Sequence, residues 1–531
     1  MRLHPLDWLV IGLYGATIAG VGFRLTQKTQ TSEEYFLAGR QLRWPFIGAS
    51  LFAANISSEH FVGLAGSGYS DGMAVGGFEW MAVFCLMPLI FLFLPFYIQN
   101  KIFTVPEFLE RRFSPSVRLI FSGFMVILAV LTKLSISFWA SSLVFSEMLG
   151  WNRISVIWTV GLITALYTMK GGLRVVVYTD AIQTVILIVA AIVLTMLGLR
   201  QVGGWSRLHA QLPAEMFHMI KPATDPNYPW PGMLVGVFLL GSFYWSMDQV
   251  LVQRAFSARS LNEGRLGAVF CGFLKLSTPF LLVLPGLIAR VLYPRLSRPD
   301  EAYPTLLAEL MPTGLLGLTV AGIIAALMGH ISATYNSVAT LFTRDFYLRW
   351  RPQATQQTQI AVGRTALLVT FVLSALWAPM IGYFGNLFIY LQTVQAYLLM
   401  PFASIFFVGV LWKRTTTAGV LSCLAASAFL CPLFLFNSRA RFMPFMEFPL
   451  LRPWLHSAMV ACAACTVVLV GVSLCTRPVD APRLRATTIS YTGDELAQSV
   501  LTDPSPDLLL DYRFWAAVLV ILTSGLWYLM R

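Results

Sequence analysis

Charge is what this sequence has least of. Asp, Glu, Lys and Arg make up 12% of its 531 residues, against about 25% in a soluble domain. With 57% hydrophobic residues and a mean hydropathy of +0.70, that scarcity excludes a soluble globular enzyme and a disordered chain. The net charge of +12 is scattered between apolar runs and forms no basic nucleic-acid face. Catalytic signatures are also missing. No HExxH or Walker sequence occurs, so neither motif supports an intramembrane enzyme. Cys462 and Cys465 form a CxxC that has no second copy, so no zinc site is completed. All seven cysteines lie in or beside apolar runs, and Cys462 and Cys465 read as small packing residues. GSGYSDG follows no strand and is no dinucleotide fingerprint. The first apolar run lacks an A-x-A cleavage pattern and reads as a retained span.

What the sequence has in quantity is long apolar runs. They are near the ~20-residue crossing length and do not alternate, so they read as membrane helices and not as barrel strands. The expectation is an all-α polytopic membrane protein with about 14 transmembrane helices. They fall near 6–25, 45–70, 76–98, 117–147, 154–170, 176–199, 231–252, 266–292, 314–342, 361–382, 384–411, 416–436, 453–475 and 513–530. Most Lys and Arg lie in alternate loops, among them Arg40, Arg43, Arg111, Arg112, Arg174, Arg259, Arg349 and Arg414. The positive-inside rule places those loops in the cytoplasm and both termini outside. An even number of spans agrees. The expected division is a transporter core at 1–476, a polar cytoplasmic linker at 477–512 and a last transmembrane helix at 513–531.

Ionisable groups inside such runs cost at least ~2.5–3.5 kcal/mol each on insertion scales. Yet Asn55, Ser57, Ser58, Glu59 and His60 fall within the second run. Glu79, Lys133, Asp180, Asp248, Gln249, Lys275, His330 and Gln392 fall within later ones. Any one of them is explained as well by a satisfied core pair. The whole set points to a polar pathway. Two runs, five spans apart, are interrupted midway by polar or small residues, ANISSEH and GSFYWSMDQ. Interrupted helices at matching places in two halves point to an inverted-repeat transporter with a midplane site.

Eight ordered segments carry a resemblance: SSEHFVGLAGSGY, GFEWMA, TVPEFLERRF, YTDAIQTVI, YWSMDQVLVQR, FLKLSTPFLLVLPG, NSVATLFTRDFY and FFVGVLWKRTT. The chain resembles the solute:sodium symporter family, most closely its sodium/glucose cotransporter branch. The likeness is strong over about residues 6–415 and looser after that. It implies a leucine-transporter-type core of inverted five-helix repeats, the first at about 45–200 and the second at about 231–411. It also implies a secondary transporter for a sugar or sugar-like polyol in a plasma (bacterial inner) membrane. The matching solute-binding positions are Asn55, His60, Glu79, Lys133, Lys275 and Gln392, with Tyr244 as the inner-gate tyrosine and Trp245 beside it. Carboxylate and amide oxygens accept hydroxyl hydrogens; ammonium and imidazole groups donate back.

The sequence departs from the family pattern in places. Gly241 and Ala82 stand where the family places hydroxyl contacts. The larger departure is at the family sodium site, which matches the carbonyls of Ala53, Ile56 and Ala326 and a serine pair. Here the pair is Gly329-His330, so both side-chain oxygens are gone. Gly329 is expected to make room for an imidazole that reaches the carbonyls of Ala53 and Ile56. His330, with Asp180 as relay, would then replace the cation by a proton. Two other readings stay open: a permanently neutral His330 in an uncoupled uniporter, and weaker Na⁺ binding through carbonyls, Asp180 and Ser332. A solute sensor on the same scaffold is the rival from another functional class. No cofactor is expected beyond Na⁺ or H⁺ as coupling ion; the partners are a small solute and lipid, not nucleic acid.

Overall fold

A computed structural model describes residues 4–26, 31–57, 60–383, 387–440, 448–479, 484, 487–488 and 511–531. The expected contributions of Ser58 and Glu59, and most of the 477–512 linker, lie outside the described residues. Among the described residues the structure is helical, with two isolated β-bridges, Leu42 to Ala258 and Lys221 to Pro229, and no strand. The cause is the one expected in lipid: a helix pairs its backbone groups within one segment.

Ten helices among the described residues are long and apolar enough to cross a membrane. An eleventh crossing forms if Gly232–Ser246 and Gln249–Phe256, bent by 49° at their junction, count as one span. Pro5–Ile18 and Arg153–Met169 are shorter apolar helices. Glycines set two of the boundaries expected between spans. Gly72 (φ 81°) separates Ala65–Asp71 from the helical run that follows. Gly172 (φ 57°) interrupts the helical run Arg153–Val202. Both φ values lie where a Cβ is unfavourable.

Both expected interruptions are present. Helix Trp44–Asn55 ends at Ile56, which has extended backbone (φ −76°, ψ 118°). Helix resumes as a π-helical turn at His60–Leu64. At the second interruption, helix Val237–Ser246 ends at Met247. Asp248 is extended (φ −78°, ψ 119°) and caps Gln249–Phe256 through its side chain. Helix Leu315–Leu341 packs against both Arg153–Val202 and Trp44–Asn55, and so lies behind the first break. CxxC residues Cys462 and Cys465 are buried in helix Trp454–Cys475, with the Cys462 Sγ 3.2 Å from the Ser404 hydroxyl.

Helix Leu284–Leu292 meets Ala65–Asp71 by a very close backbone approach at Gly286. A Cβ there would stand 2.7 Å from the Tyr69 nitrogen and nearer still to the Ala65 carbonyl. Gly286→Ala should therefore force the helices apart, costing about 1–3 kcal/mol as overpacking does. The check is thermal unfolding in detergent, with Gly525→Ala as control because nothing lies within 4 Å of its added Cβ. Equal melting of the two variants contradicts the packing account.

Candidate solute site

The two breaks face one internal cavity of about 80 Å³. At ~10–15 Å³ per water-sized molecule, that is room for one small solute and little else. Asn55, His60, Glu79, Lys133, Lys275, Gln392, Tyr244 and Trp245 all line it. These are the residues that sequence motifs single out for solute binding and gating. They come from seven different helical segments, so only folding brings them together.

The cations of the site are paired. Lys275 Nζ is 2.5 Å from Glu79 Oε2, and Glu79 Oε1 is 3.7 Å from His60 Nε2. Lys133 bonds to Asp248 Oδ2, while Asp248 Oδ1 accepts from the Val250 amide at 2.9 Å. Glu79, Lys133 and Lys275 are each at most 5% exposed and Asp248 is fully buried. Two ammonium groups thus meet two carboxylates, and their formal charges cancel. Such a wall accepts and donates hydrogen bonds without favouring a charged ligand.

Aromatic rings complete the enclosure. Lys275 Nζ lies 5.7 Å from the Trp245 ring centroid, and Lys133 Nζ lies 5.4 Å from that of Tyr244. The Tyr244 hydroxyl accepts from Asn55 Nδ2 at 3.3 Å, a direct link between the two broken segments. Phe78 and Phe388 add further rings to the lining. The departure at Gly241 has a steric cause: a Cβ there would stand 2.5 Å from the Cys85 Sγ. Cys85, Gly241, Ala82, Val237 and Leu240 form an apolar side of the cavity.

Three cavity features escape the sequence reading. Gln395 also lines the cavity; its signal is the i, i+3 spacing from Gln392, which puts both amides on one helix face. Asp248 stands out in the sequence as a charged residue in an apolar run, but nothing there assigns it to Lys133. His330, expected at the ion position, lines the solute cavity itself.

The surroundings of Gly329-His330 correct the expected contacts. The imidazole Nδ1 meets the carbonyl of Ala54 at 2.6 Å; the expected contacts were Ala53 and Ile56. The space beside Gly329 is taken by another side chain. A Cβ at Gly329 would stand 2.9 Å from Gln183 Oε1, 3.2 Å from Asp180 Oδ1 and 3.8 Å from the Ala53 carbonyl. Those two side-chain oxygens are buried and make no hydrogen bond among the described residues. Asp180 is engaged through its other oxygen, 2.5 Å from Ser50 Oγ and 3.4 Å from the Arg254 guanidinium. Ser332 Oγ donates to the Gly329 carbonyl at 3.0 Å. Ala326 is fully buried in helix Leu315–Leu341, and Ile56 stands at the helix break.

A family model described as "Sodium:solute symporter family" matches residues 35–426. Sodium/glucose cotransporter 4 of Homo sapiens is 35% identical over 528 residues, covering 91% of this chain and 78% of that protein. Sodium/myo-inositol cotransporter 2 of Sus scrofa is 35% identical over 522 residues, covering 90% and 77%. Among solved structures, a Na⁺-coupled sialic acid symporter in a substrate-bound outward-open state aligns with a TM-score of 0.78 at 21% identity, over 90% of this chain and 100% of that one. A nucleobase-cation-symport-1 family transporter aligns at 0.56 with 15% identity, over 86% and 99%. At these identities the two structures establish a shared fold.

Removing one partner of a buried ion pair strands the other charge, at a cost of about 3–5 kcal/mol. Lys133→Met and Asp248→Asn should each destabilise by that order, and the double variant should recover most of the loss, since Asn still caps the helix. Thermal unfolding of the four proteins measures the coupling; additive losses contradict the pairing.

Proposed function

Because the chain belongs to the sodium:solute symporter family, we propose that it is a secondary-active transporter of a neutral sugar or sugar-like polyol, working by alternating access. The observation that carries this reading is the cavity lined by Asn55, His60, Glu79, Lys133, Lys275 and Gln392, with its two ammonium groups balanced by carboxylates. A polyol presents many hydroxyls and no net charge, which matches such a wall. Its apolar face suits the aromatic rings of Tyr244 and Trp245. One hydrogen bond contributes only ~0.5–1.5 kcal/mol net, so the array serves specificity more than tight binding.

The arrangement that accompanies this reading is about 14 spans in two inverted five-helix repeats, at about 45–200 and 231–411. Apolar helices occupy each expected run, counting Pro5–Ile18, Trp44–Asn55 and Arg153–Met169 with the longer ones. The distribution of Lys and Arg supports a plasma-membrane protein with both termini outside and residues 477–512 in the cytoplasm.

The coupling step is the part in which this chain departs from its family. Sodium is best held by a shell of hard oxygens, and positions 329 and 330 supply no side-chain oxygen. With an imidazole bonded to the Ala54 carbonyl, coupling passes to a proton or is lost. A specific observation favours a second reading, weak Na⁺ coupling. Asp180 Oδ1, Gln183 Oε1 and the Ala53 carbonyl converge beside Gly329, and the two side-chain oxygens lack partners among the described residues.

Uptake into proteoliposomes decides between them. Sugar accumulation under a pH gradient without Na⁺, whose pH dependence is lost in His330→Ser while sugar binding persists, supports proton coupling. Equilibration with no gradient effect supports a uniporter. Saturable stimulation by Na⁺ alone supports the second reading and ends the first. Binding with no uptake at all identifies a sensor. Tyr244→Ala should lower net transport at least about tenfold while sugar affinity falls less, since loss of one hydrogen bond costs only ~0.5–1.5 kcal/mol. A parallel fall in both makes Tyr244 a plain contact and not a gate.

A further inference from the structure

His330 departs from its family and is not explained by the packing around it. It is 2% exposed, yet it lines the solute cavity. Its Nδ1 lies 2.6 Å from the Ala54 carbonyl. A carbonyl carries no hydrogen, so the proton of that bond is on Nδ1. Nε2 makes no hydrogen bond among the described residues. In the neutral ring it is therefore a bare acceptor, buried where an unpaired polar atom is unfavourable. The charged groups that act on it are Lys133, Asp248 and Arg254, with His60 across the cavity. Lys133 is held by Asp248 and Arg254 by Asp180. His60 has the opposite tautomer: its Nδ1 accepts from the Ser57 amide at 3.3 Å, and its Nε2 faces Glu79.

We propose that His330 is a solute-binding residue whose Nε2 accepts a hydrogen bond from a ligand hydroxyl while its Nδ1 holds the Ala54 carbonyl. This inference rests on the sugar or polyol reading of the cavity. The ligand hydroxyl then supplies the partner that Nε2 lacks. Asn55 Oδ1, also without a hydrogen bond among the described residues, is a second acceptor on the same side. The imidazole joins the solute to two elements at once, helix Leu315–Leu341 that carries it and the end of helix Trp44–Asn55 at Ala54. Filling the cavity and tying these helices together become a single event, with the organic solute in a place where a cation would otherwise bridge. His330 thereby sets which hydroxyl is read: a hydrogen-bond donor is required at that point of the ligand.

The test uses the full-length protein, purified in detergent, with D-glucose, myo-inositol and the monodeoxy and monofluoro analogues of D-glucose as probes. A C–F group cannot donate a hydrogen. His330→Asn keeps an amide able to donate to Ala54 but ends short of the Nε2 position. It should weaken D-glucose binding about 3–10-fold, the size of one hydrogen bond. One deoxy and fluoro position should bind wild type and variant alike, because the contact is already missing. A second measurement needs no variant: mass-spectrometric carbethoxylation of His330 in the wild type should be slowed by D-glucose and not by that fluoro analogue. Equal loss on every analogue, no loss at all, or unprotected His330 at saturating D-glucose overturns the proposal while leaving the sugar reading intact. Failure of the wild type to bind any probe overturns both.

Discussion

The carboxylate of Asp248 holds the centre of this molecule together. One oxygen caps the half-helix Gln249–Phe256 at the Val250 amide, and the other takes the ammonium of Lys133. A broken helix leaves amides without intrahelical partners, and a lysine at lipid depth needs a counter-charge. One side chain answers both demands at once. The break at Met247–Asp248 is therefore tied to a residue far away in the sequence, Lys133 in the π-helical stretch Ala129–Leu134. Both costs are met together beside the cavity, which Lys133 lines.

Lys275 and Glu79 repeat the arrangement on the other wall. With both lysines neutralised, the remaining polar groups are amides, imidazoles and a phenol. Under the polyol reading proposed above, that is a surface for reading hydroxyl patterns, where discrimination comes from leaving a buried partner unpaired when the wrong ligand enters. The apolar side formed by Cys85 and Gly241 belongs to the same logic. The Cys85 thiol takes the space that a side chain at 241 would need, so the two positions are sterically coupled, and a ligand placed there meets sulfur and carbon instead of a hydroxyl.

The region behind the first break shows how a small substitution is absorbed. Gly329 has no Cβ, and the amide of Gln183 stands close to where one would be, tied at its other end to the Tyr14 hydroxyl. His330 reaches the Ala54 carbonyl, near the end of helix Trp44–Asn55, from the same helix as Gly329. The position that the family pattern builds from oxygens is here split between an oxygen pair, Asp180 and Gln183, and an imidazole that lines the cavity.

The architecture was legible in the sequence for a physical reason. A lipid solvent forces each crossing segment to be long, apolar and internally hydrogen-bonded, so composition and run length suffice to expect an all-helical membrane protein. The two breaks were legible because polar clusters such as ANISSEH and YWSMDQ have no other reason to interrupt an apolar run. The cavity-lining residues Asn55, His60, Glu79, Lys133, Lys275 and Gln392 were singled out by ordered motifs. Partner choice was not. Lys133 with Asp248, Lys275 with Glu79, and His330 with Ala54 are separated in the chain by 115, 196 and 276 residues. Such pairings depend on helix rotation and crossing, to which hydropathy is blind. The sequence alone also sent His330 toward the carbonyls of Ala53 and Ile56. A shift of one carbonyl and the intrusion of Gln183 decided otherwise, because both depend on how helices Trp44–Asn55, Arg153–Val202 and Leu315–Leu341 pack against one another.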